Sequence, residues 1–133
     1  MKDVFLDTVG MIAVWDDTDQ WHAAAKAAYA LLFNQGRQLL TTPFVLGECG
    51  NASARRTYRS DVCELRRSLI QEGLLIEPTA QEIEDAWDAY ERGEAGQAGI
   101  VDHVSFQVMR RLSLGEAFTN DKHDQAAGFN VLF

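Results

Sequence analysis

The sequence has few of the residues on which small secreted domains depend. It contains only two cysteines, Cys49 and Cys63, and two prolines in 133 residues. Two cysteines exclude a disulfide-rich scaffold, and they show neither a CxxC pair nor a zinc-ligand spacing. We therefore expect a reduced, cytoplasmic protein whose stability comes from a hydrophobic core.

Long apolar runs are also missing. The most apolar stretch, residues 23–33, is interrupted by Lys26 and is shorter than the roughly 20 residues of a membrane-spanning helix. The opening residues, Met1 to Val4, show no apolar segment typical of a signal peptide. With 47% hydrophobic and 24% charged residues, the composition is globular. We expect a single domain over residues 1–133 with no membrane partner.

Basic residues are scarce, but they are clustered. Twelve Lys and Arg face twenty Asp and Glu, and the resulting net charge of −8 opposes simple backbone-driven binding of nucleic acid. Five of the twelve bases lie within residues 55–67: Arg55, Arg56, Arg59, Arg66 and Arg67. The candidates for contact with RNA phosphates are Arg55, Arg59 and Arg66. Tyr58 would then offer a ring for base stacking. Alternatively, the arginines pair with Asp61 and Glu64 at helical spacing.

Predicted strands alternate with predicted helices along the chain. The strands are expected at residues 4–6, 38–41, 74–76 and 116–119, with a possible fifth at 130–133. Three helix starts carry capping signals: Thr42 before Pro43, Ser60, and the capping box of Thr79 with Glu82. Gly73 is expected to end the helix that Ser60 begins, and glycines 93, 96 and 99 to form a loop. This order predicts an α/β fold with three layers, in which helices flank a mostly parallel sheet of four to five strands.

Four acids occupy equivalent places relative to the predicted strands. Asp7 follows the first strand and Asp121 the fourth, while Glu48 lies about two turns into the helix after the second strand and Asp102 in the first turn of its helix. Functional groups gather beyond the carboxyl ends of strands in an open parallel sheet. Four acids there would repel one another unless a cation lay between them, and oxygen ligands suit Mg²⁺ or Mn²⁺. Each aspartate alone could be a helix cap, but the four together favour a metal site.

Five segments taken in order resemble the PIN-domain ribonucleases. They are Val4-Phe5-Leu6-Asp7-Thr8, the segment from Thr42 to Glu48, the segment from Gly99 to Phe106, Thr119-Asn120-Asp121-Lys122-His123, and Ala127-Gly128-Phe129. The resemblance covers the whole chain. A domain of this size is most similar to the toxin of a VapBC-type toxin–antitoxin pair.

The resemblance implies a metal-dependent endoribonuclease that is commonly a homodimer and is silenced by a cognate antitoxin. Asp7, Glu48, Asp102 and Asp121 match the family's catalytic, metal-binding acids, with Mg²⁺ or Mn²⁺ as the cofactor. The positions that match possible supporting residues are Thr8, Ser105, Thr119 and Asn120. The alternative is a catalytically silent PIN-like module that binds an antitoxin or another protein.

The chain departs from the family at one position beside these acids. Asp124 stands where the family usually has an aromatic residue, most often Phe. Asp124 is expected either to face solvent or to add a fifth acid to the cluster. The second outcome would change the local packing and the number of metal ions more than the class of activity.

Overall fold

The structure, a computed structural model, describes residues 3–133 and contains a four-stranded parallel sheet. Its strands are β1 (Val4–Leu6), β2 (Leu39–Leu40), β3 (Glu116–Phe118) and β4 (Asn130–Val131). They lie in the order β2-β1-β3-β4, and every neighbouring pair is parallel. In the centre, Phe5 of β1 is paired with Leu40 on one side and Ala117 on the other. The predicted sheet class is confirmed.

Eight helices flank this sheet within the described part of the chain. They are α1 (Thr8–Trp15), α2 (His22–Asn34), α3 (Pro43–Ser53), α4 (Arg59–Glu72), α5 (Ala80–Glu91), α6 (Glu94–Gln97), α7 (Ile100–Arg111) and α8 (Lys122–Ala126). Successive strand residues point to opposite faces, and all three residues of β1 are buried. Both faces of the sheet are therefore covered, as in other parallel sheets. None of the helices among residues 3–133 is long and apolar enough to cross a bilayer.

Two of the predicted helix starts form as expected. The Thr42 hydroxyl accepts a hydrogen bond from the Val45 amide at 3.3 Å, with Pro43 at the first helical position. Thr79 and Glu82 form the reciprocal capping box, and Glu82 also accepts a hydrogen bond from Arg111 Nε at 2.8 Å. This last contact ties the start of α5 to the end of α7.

Two local predictions were wrong, and a third was incomplete. Residues 74–76 do not form a strand; only Leu75 pairs, in an isolated parallel bridge with Thr41. Ser60 lies inside α4, which begins one residue earlier, at Arg59. The glycine loop at 93–99 contains the four-residue turn α6, in which Ala95 and Gly96 have left-handed backbone angles.

Gly10 brings α1 against the end of β3. A Cβ at this position would overlap the Phe118 carbonyl oxygen and lie 2.7 Å from Cδ2 of the Phe118 ring. The first turn of α1 follows Asp7, and Phe118 is three residues before Asp121. The absence of a side chain at Gly10 therefore sets how closely the segments that carry these two acids approach each other.

Replacing Gly10 with alanine should destabilise the fold, because the new methyl group meets backbone that cannot move aside. We expect a loss of about 1–3 kcal/mol in the free energy of unfolding, measured by urea denaturation. Gly50→Ala is the matched control, since Gly50 lies in α3 with open space around its Cβ position. It should be neutral or stabilise by up to about 1 kcal/mol. Equal stability of the two variants would contradict the close approach at Gly10.

Candidate metal centre

The four predicted acids converge at the carboxyl-terminal edge of the sheet. Asp7 is the N-cap of α1, directly after β1, and Asp121 is the N-cap of α8, after β3. Asp102 lies in the first turn of α7, and Glu48 lies within α3. All four line one open cleft of about 590 Å³, together with Thr8, Val9, Asn51 and Ala52. The structure thus brings together residues that are up to 114 positions apart in the sequence.

The tightest group of acids at this edge differs from the predicted set by one member. One carboxylate oxygen from each of Asp7, Asp102, Asp121 and Asp124 lies within 4.8 Å of the other three. Glu48 is exposed on the wall of the cleft, where its Oε1 accepts a hydrogen bond from the Thr8 hydroxyl at 2.7 Å. We call Asp7, Asp102, Asp121 and Asp124 the floor acids, because Asp7 and Asp124 are buried and the other two are half-buried.

Asp7 is the most constrained of the four floor acids. It is 3% exposed, and its Oδ2 has no hydrogen-bond partner among residues 3–133. Burial, followed by the charge of Asp102, raises the pKa of Asp7 to about 7. Hydrogen bonds from the Thr119 side chain and the Thr8 backbone oppose this shift. A buried carboxylate with an unused oxygen is a suitable ligand for a cation.

The pKa values of Asp102 and Asp124 are also raised, because burial and neighbouring charges disfavour their charged forms. Burial raises the pKa of Asp102 to about 6, with further increases caused by Asp121 and Glu48. Burial raises the pKa of Asp124 to about 8, and Asp7 adds the next largest contribution. Without a positive ion, the floor acids cannot all be charged at neutral pH. The donor set consists of carboxylate oxygens and therefore fits a hard divalent cation.

Of the four predicted supporting residues, Thr8 and Thr119 form hydrogen bonds with the acids. Asn120 is the neighbour of Thr119 in the sequence. Thr8 donates to Glu48, while the Thr119 hydroxyl accepts from the Asp121 amide at 3.1 Å and also bonds to Asp7. Asn120 is half-buried between Thr119 and Asp121. Ser105 is different: it is buried, and its hydroxyl donates to the Val101 carbonyl of its own helix at 3.0 Å.

Two further residues belong to this region: Asp124, for which two outcomes were predicted, and His123, for which no site role was predicted. Asp124 is buried and joins the cluster, so the first of its two predicted outcomes, exposure to solvent, is wrong. His123 Nδ1 lies 2.9 Å from Asp121 Oδ1, and the His123 amide donates to the same oxygen. The departure from the family's usual aromatic residue was the only signal for Asp124.

The clustered arginines are exposed, but they do not share one groove. Arg55 and Arg56 line a groove with Trp15 and the 16–18 turn, next to the end of α3. Arg66 lines a different groove, with Leu46 and Glu77 among its neighbours. Within residues 3–133, none of the five arginines forms an ion pair with Asp61 or Glu64.

Tyr58 is not available for base stacking. It is 8% exposed, and its ring stacks on that of Trp15 at a centroid distance of 6.2 Å. The prediction of a stacking surface at this position was therefore wrong. The ring instead packs the segment between α3 and α4 against the end of α1.

Comparison with known proteins gives a consistent set of relatives. Curated proteins called 23S rRNA-specific endonuclease VapC20, from two strains of Mycobacterium tuberculosis, are each 30% identical to this chain over 127 residues. The matched region is 95% of this chain and 95% of each relative. The chain belongs to the VapC-like family of PIN-domain toxins. No protein-family model matches it.

A solved structure supports the same assignment for this VapC-like chain. The crystal structure of Mycobacterium tuberculosis VapC20, described as a sarcin-ricin loop cleaving toxin, superposes with a TM-score of 0.77. The two chains are 26% identical, and the match covers 96% of each. The predictions of a PIN-like α/β fold and of a toxin endoribonuclease are therefore confirmed.

The raised pKa values predict how the stability of the metal-free VapC-like protein depends on pH. In the folded protein, the pKa values are about 6 for Asp102, 7 for Asp7 and 8 for Asp124, against 3.8 in the unfolded chain. Above pH 3.8, the folded state therefore binds more protons at these carboxyls than the unfolded state does. The stability they contribute is complete below that value and is lost as pH rises through the folded pKa values. In EDTA, the melting temperature should fall between pH 5.5 and pH 8.5.

The matched variants separate this effect from general charge repulsion. Asp7→Asn should make the decline with pH shallower, because one of the titrating groups is removed. Asp88→Asn, an equal change of charge at an exposed position of α5, should keep the slope of the wild-type protein. A wild-type slope in Asp7→Asn would show that the floor acids do not cause the decline.

Proposed function

We propose that this VapC-like protein is a metal-dependent endoribonuclease that cleaves a structured loop of ribosomal RNA. The observation that carries the proposal is the convergence of Asp7, Glu48, Asp102 and Asp121 in one open cleft. The unpartnered Oδ2 of buried Asp7 supports a cation as the missing partner of this cleft. The ion proposed is Mg²⁺ or Mn²⁺, because hard cations of this type prefer carboxylate oxygens.

The catalytic roles follow from burial and position. When bound, a divalent cation lowers the pKa of a water molecule and stabilises charge on the scissile phosphate. Asp7, which is buried and has an unpartnered oxygen, is proposed as the central ligand, with Asp102 and Asp121 completing the set. Glu48 lies on the exposed wall, held by Thr8, where it orients the attacking water or binds the ion through water. Hydrolysis adds hydroxide from water to phosphorus and breaks the bond to O3′, which leaves a 5′-phosphate end.

The substrate class is proposed from the relatives. Both curated relatives are named for 23S rRNA, and the structural neighbour for the sarcin-ricin loop. This chain covers almost the whole length of each of them, and its cleft is open to a polynucleotide rather than enclosed. A stem-loop of ribosomal RNA is therefore the first substrate to test.

Contacts outside the acidic cleft are needed to hold an RNA on a protein with a net charge of −8. Arg55 lies four residues beyond Asn51, which lines the cleft, and Arg59 begins the next helix. We assign these two arginines to RNA phosphates near the cleft. Arg66 lies in another groove, so its proposed contact is with a more distant part of the RNA.

The proposed assembly follows from membership of the VapC-like family. We propose a cytoplasmic protein whose residues 1–133 form a single domain, which pairs with a second copy and is silenced by an antitoxin. The second candidate function, a catalytically silent module, would tolerate the loss of the acids. The convergence of all four predicted acids, with Thr8 holding Glu48, favours the enzyme.

The first test is cleavage of a labelled sarcin-ricin stem-loop RNA in Mg²⁺, in Mn²⁺ and in EDTA. Cleavage should require the metal, and Asp102→Asn should lower the rate by about 100-fold or more, because a ligand of the reacting centre is weakened. Asp88→Asn should cleave at the wild-type rate. An Asp102→Asn protein that is folded by circular dichroism and cleaves like wild type would reject the mechanism.

The arginine assignment predicts a change in the salt dependence of RNA binding. In EDTA, the binding of a labelled stem-loop followed by fluorescence anisotropy should weaken with salt less steeply in the Arg55→Ala/Arg59→Ala variant. The log–log slope should fall by about 1–2, since each lost phosphate contact removes close to one unit. Arg92→Ala, which removes an exposed arginine paired with Glu94, is the control. An unchanged slope in the double variant would remove both arginines from the interface.

A further inference from the structure

The position of Asp124 requires an explanation that the family resemblance does not give. The resembling ribonucleases usually carry an aromatic residue at this position, and this chain carries a carboxylate. Asp124 is 3% exposed, as deeply buried as Asp7. It lies in the short helix α8, three residues after Asp121.

The Asp124 side chain is aimed at the other three floor acids, which line the cleft. One of its oxygens belongs to the set in which all four atoms lie within 4.8 Å of one another. Its Oδ1 has no hydrogen-bond partner among residues 3–133. Asp7 Oδ2 is a second unpartnered buried oxygen in the same cluster. The floor therefore has two buried oxygens that no group of the described chain satisfies.

This arrangement is unfavourable for charged carboxylates unless a cation lies between them. A buried polar group without a partner costs free energy, and a buried charge among like charges costs more. Within residues 3–133, no ion pair involves Asp7 or Asp124: Lys122, on the same short helix, is exposed, and His123 contacts Asp121 instead. A cation bound between the floor acids would offset this cost for all of them together.

The spacing of the oxygens also suits a shared ion. Two oxygens bound to one Mg²⁺ at about 2.1 Å can be at most about 4.2 Å apart. The four floor oxygens lie within 4.8 Å of one another, a limit slightly wider than that span. Glu48 is outside this set, on the exposed wall.

We propose that Asp124 is a direct ligand of the divalent cation, in a floor site formed with Asp7, Asp102 and Asp121. Glu48 then acts from the wall and is not part of this inner set. The proposal rests on the proposed function only in requiring that the protein binds a divalent cation. It differs from the family resemblance by adding a ligand where that family usually has a hydrocarbon ring.

Calorimetric titration of the full chain with Mn²⁺ tests the proposal without measuring activity. Asp124→Asn, which keeps the shape of the side chain, should weaken Mn²⁺ binding by at least about 10-fold. Asp124→Phe, which restores the family's usual residue, should weaken it at least as much. Asp88→Asn should bind like wild type, and circular dichroism with thermal melting in EDTA should show that each variant is folded.

The outcomes separate this inference from the proposed function. If wild type binds no Mn²⁺, both are rejected. If wild type binds Mn²⁺ and both Asp124 variants bind it equally well, Asp124 is not a ligand, while the proposed nuclease mechanism stands.

Because a neighbour of the ligands could also alter affinity, crystals soaked in MnCl₂ provide the second measurement. Anomalous density within about 2.5 Å of an Asp124 oxygen is expected; an ion bound to the other acids and out of reach of Asp124 would overturn the proposal.

Discussion

Mutual repulsion among buried carboxylates is the constraint on which the site depends. Asp7, Asp102, Asp121 and Asp124 converge within 4.8 Å, and burial is the largest cause of the raised pKa of three of them. Such a cluster opposes folding in the absence of a cation. The cluster persists because contacts elsewhere in the fold hold the strands and helices that carry the acids. A bound cation would remove the repulsion, and this relief would add to the free energy of ion binding.

The hydrophobic core provides those contacts. Val4, Phe5 and Leu6 of β1 are almost fully buried directly before Asp7, and Phe118 of β3 is buried three residues before Asp121. Gly10 lets the first turn of α1 approach Phe118 closely, so that the two acid-bearing segments are fixed relative to each other. Thr119 then bonds both acids. The rigid part of the fold thus prevents the carboxylates from moving apart to relieve their repulsion.

The sequence predicted the parts of the fold that local signals specify. The strand before Asp7, the Thr42 and Thr79 caps and the convergence of four acids all follow from patterns within a few residues and from the geometry of parallel sheets. The lone bridge at Leu75 was not predictable, because strand pairing depends on a distant partner, Thr41. The burial of Asp124 was also not predictable, since a five-residue helix gives no periodicity that shows which side faces the core.

An acidic protein that cleaves RNA must overcome two repulsions, one within its site and one with its substrate. A divalent ion bound among the floor acids, as proposed, would reduce both, because it would neutralise the cluster and present positive charge to a phosphate. The arginines cannot replace it, since they line grooves outside the cleft rather than the floor. They would hold flanking phosphates, because Arg55 follows shortly after the end of α3, the helix that carries Glu48. The ion would then determine which RNA bond is cleaved. The arginines would determine which RNA stays bound long enough to be cleaved.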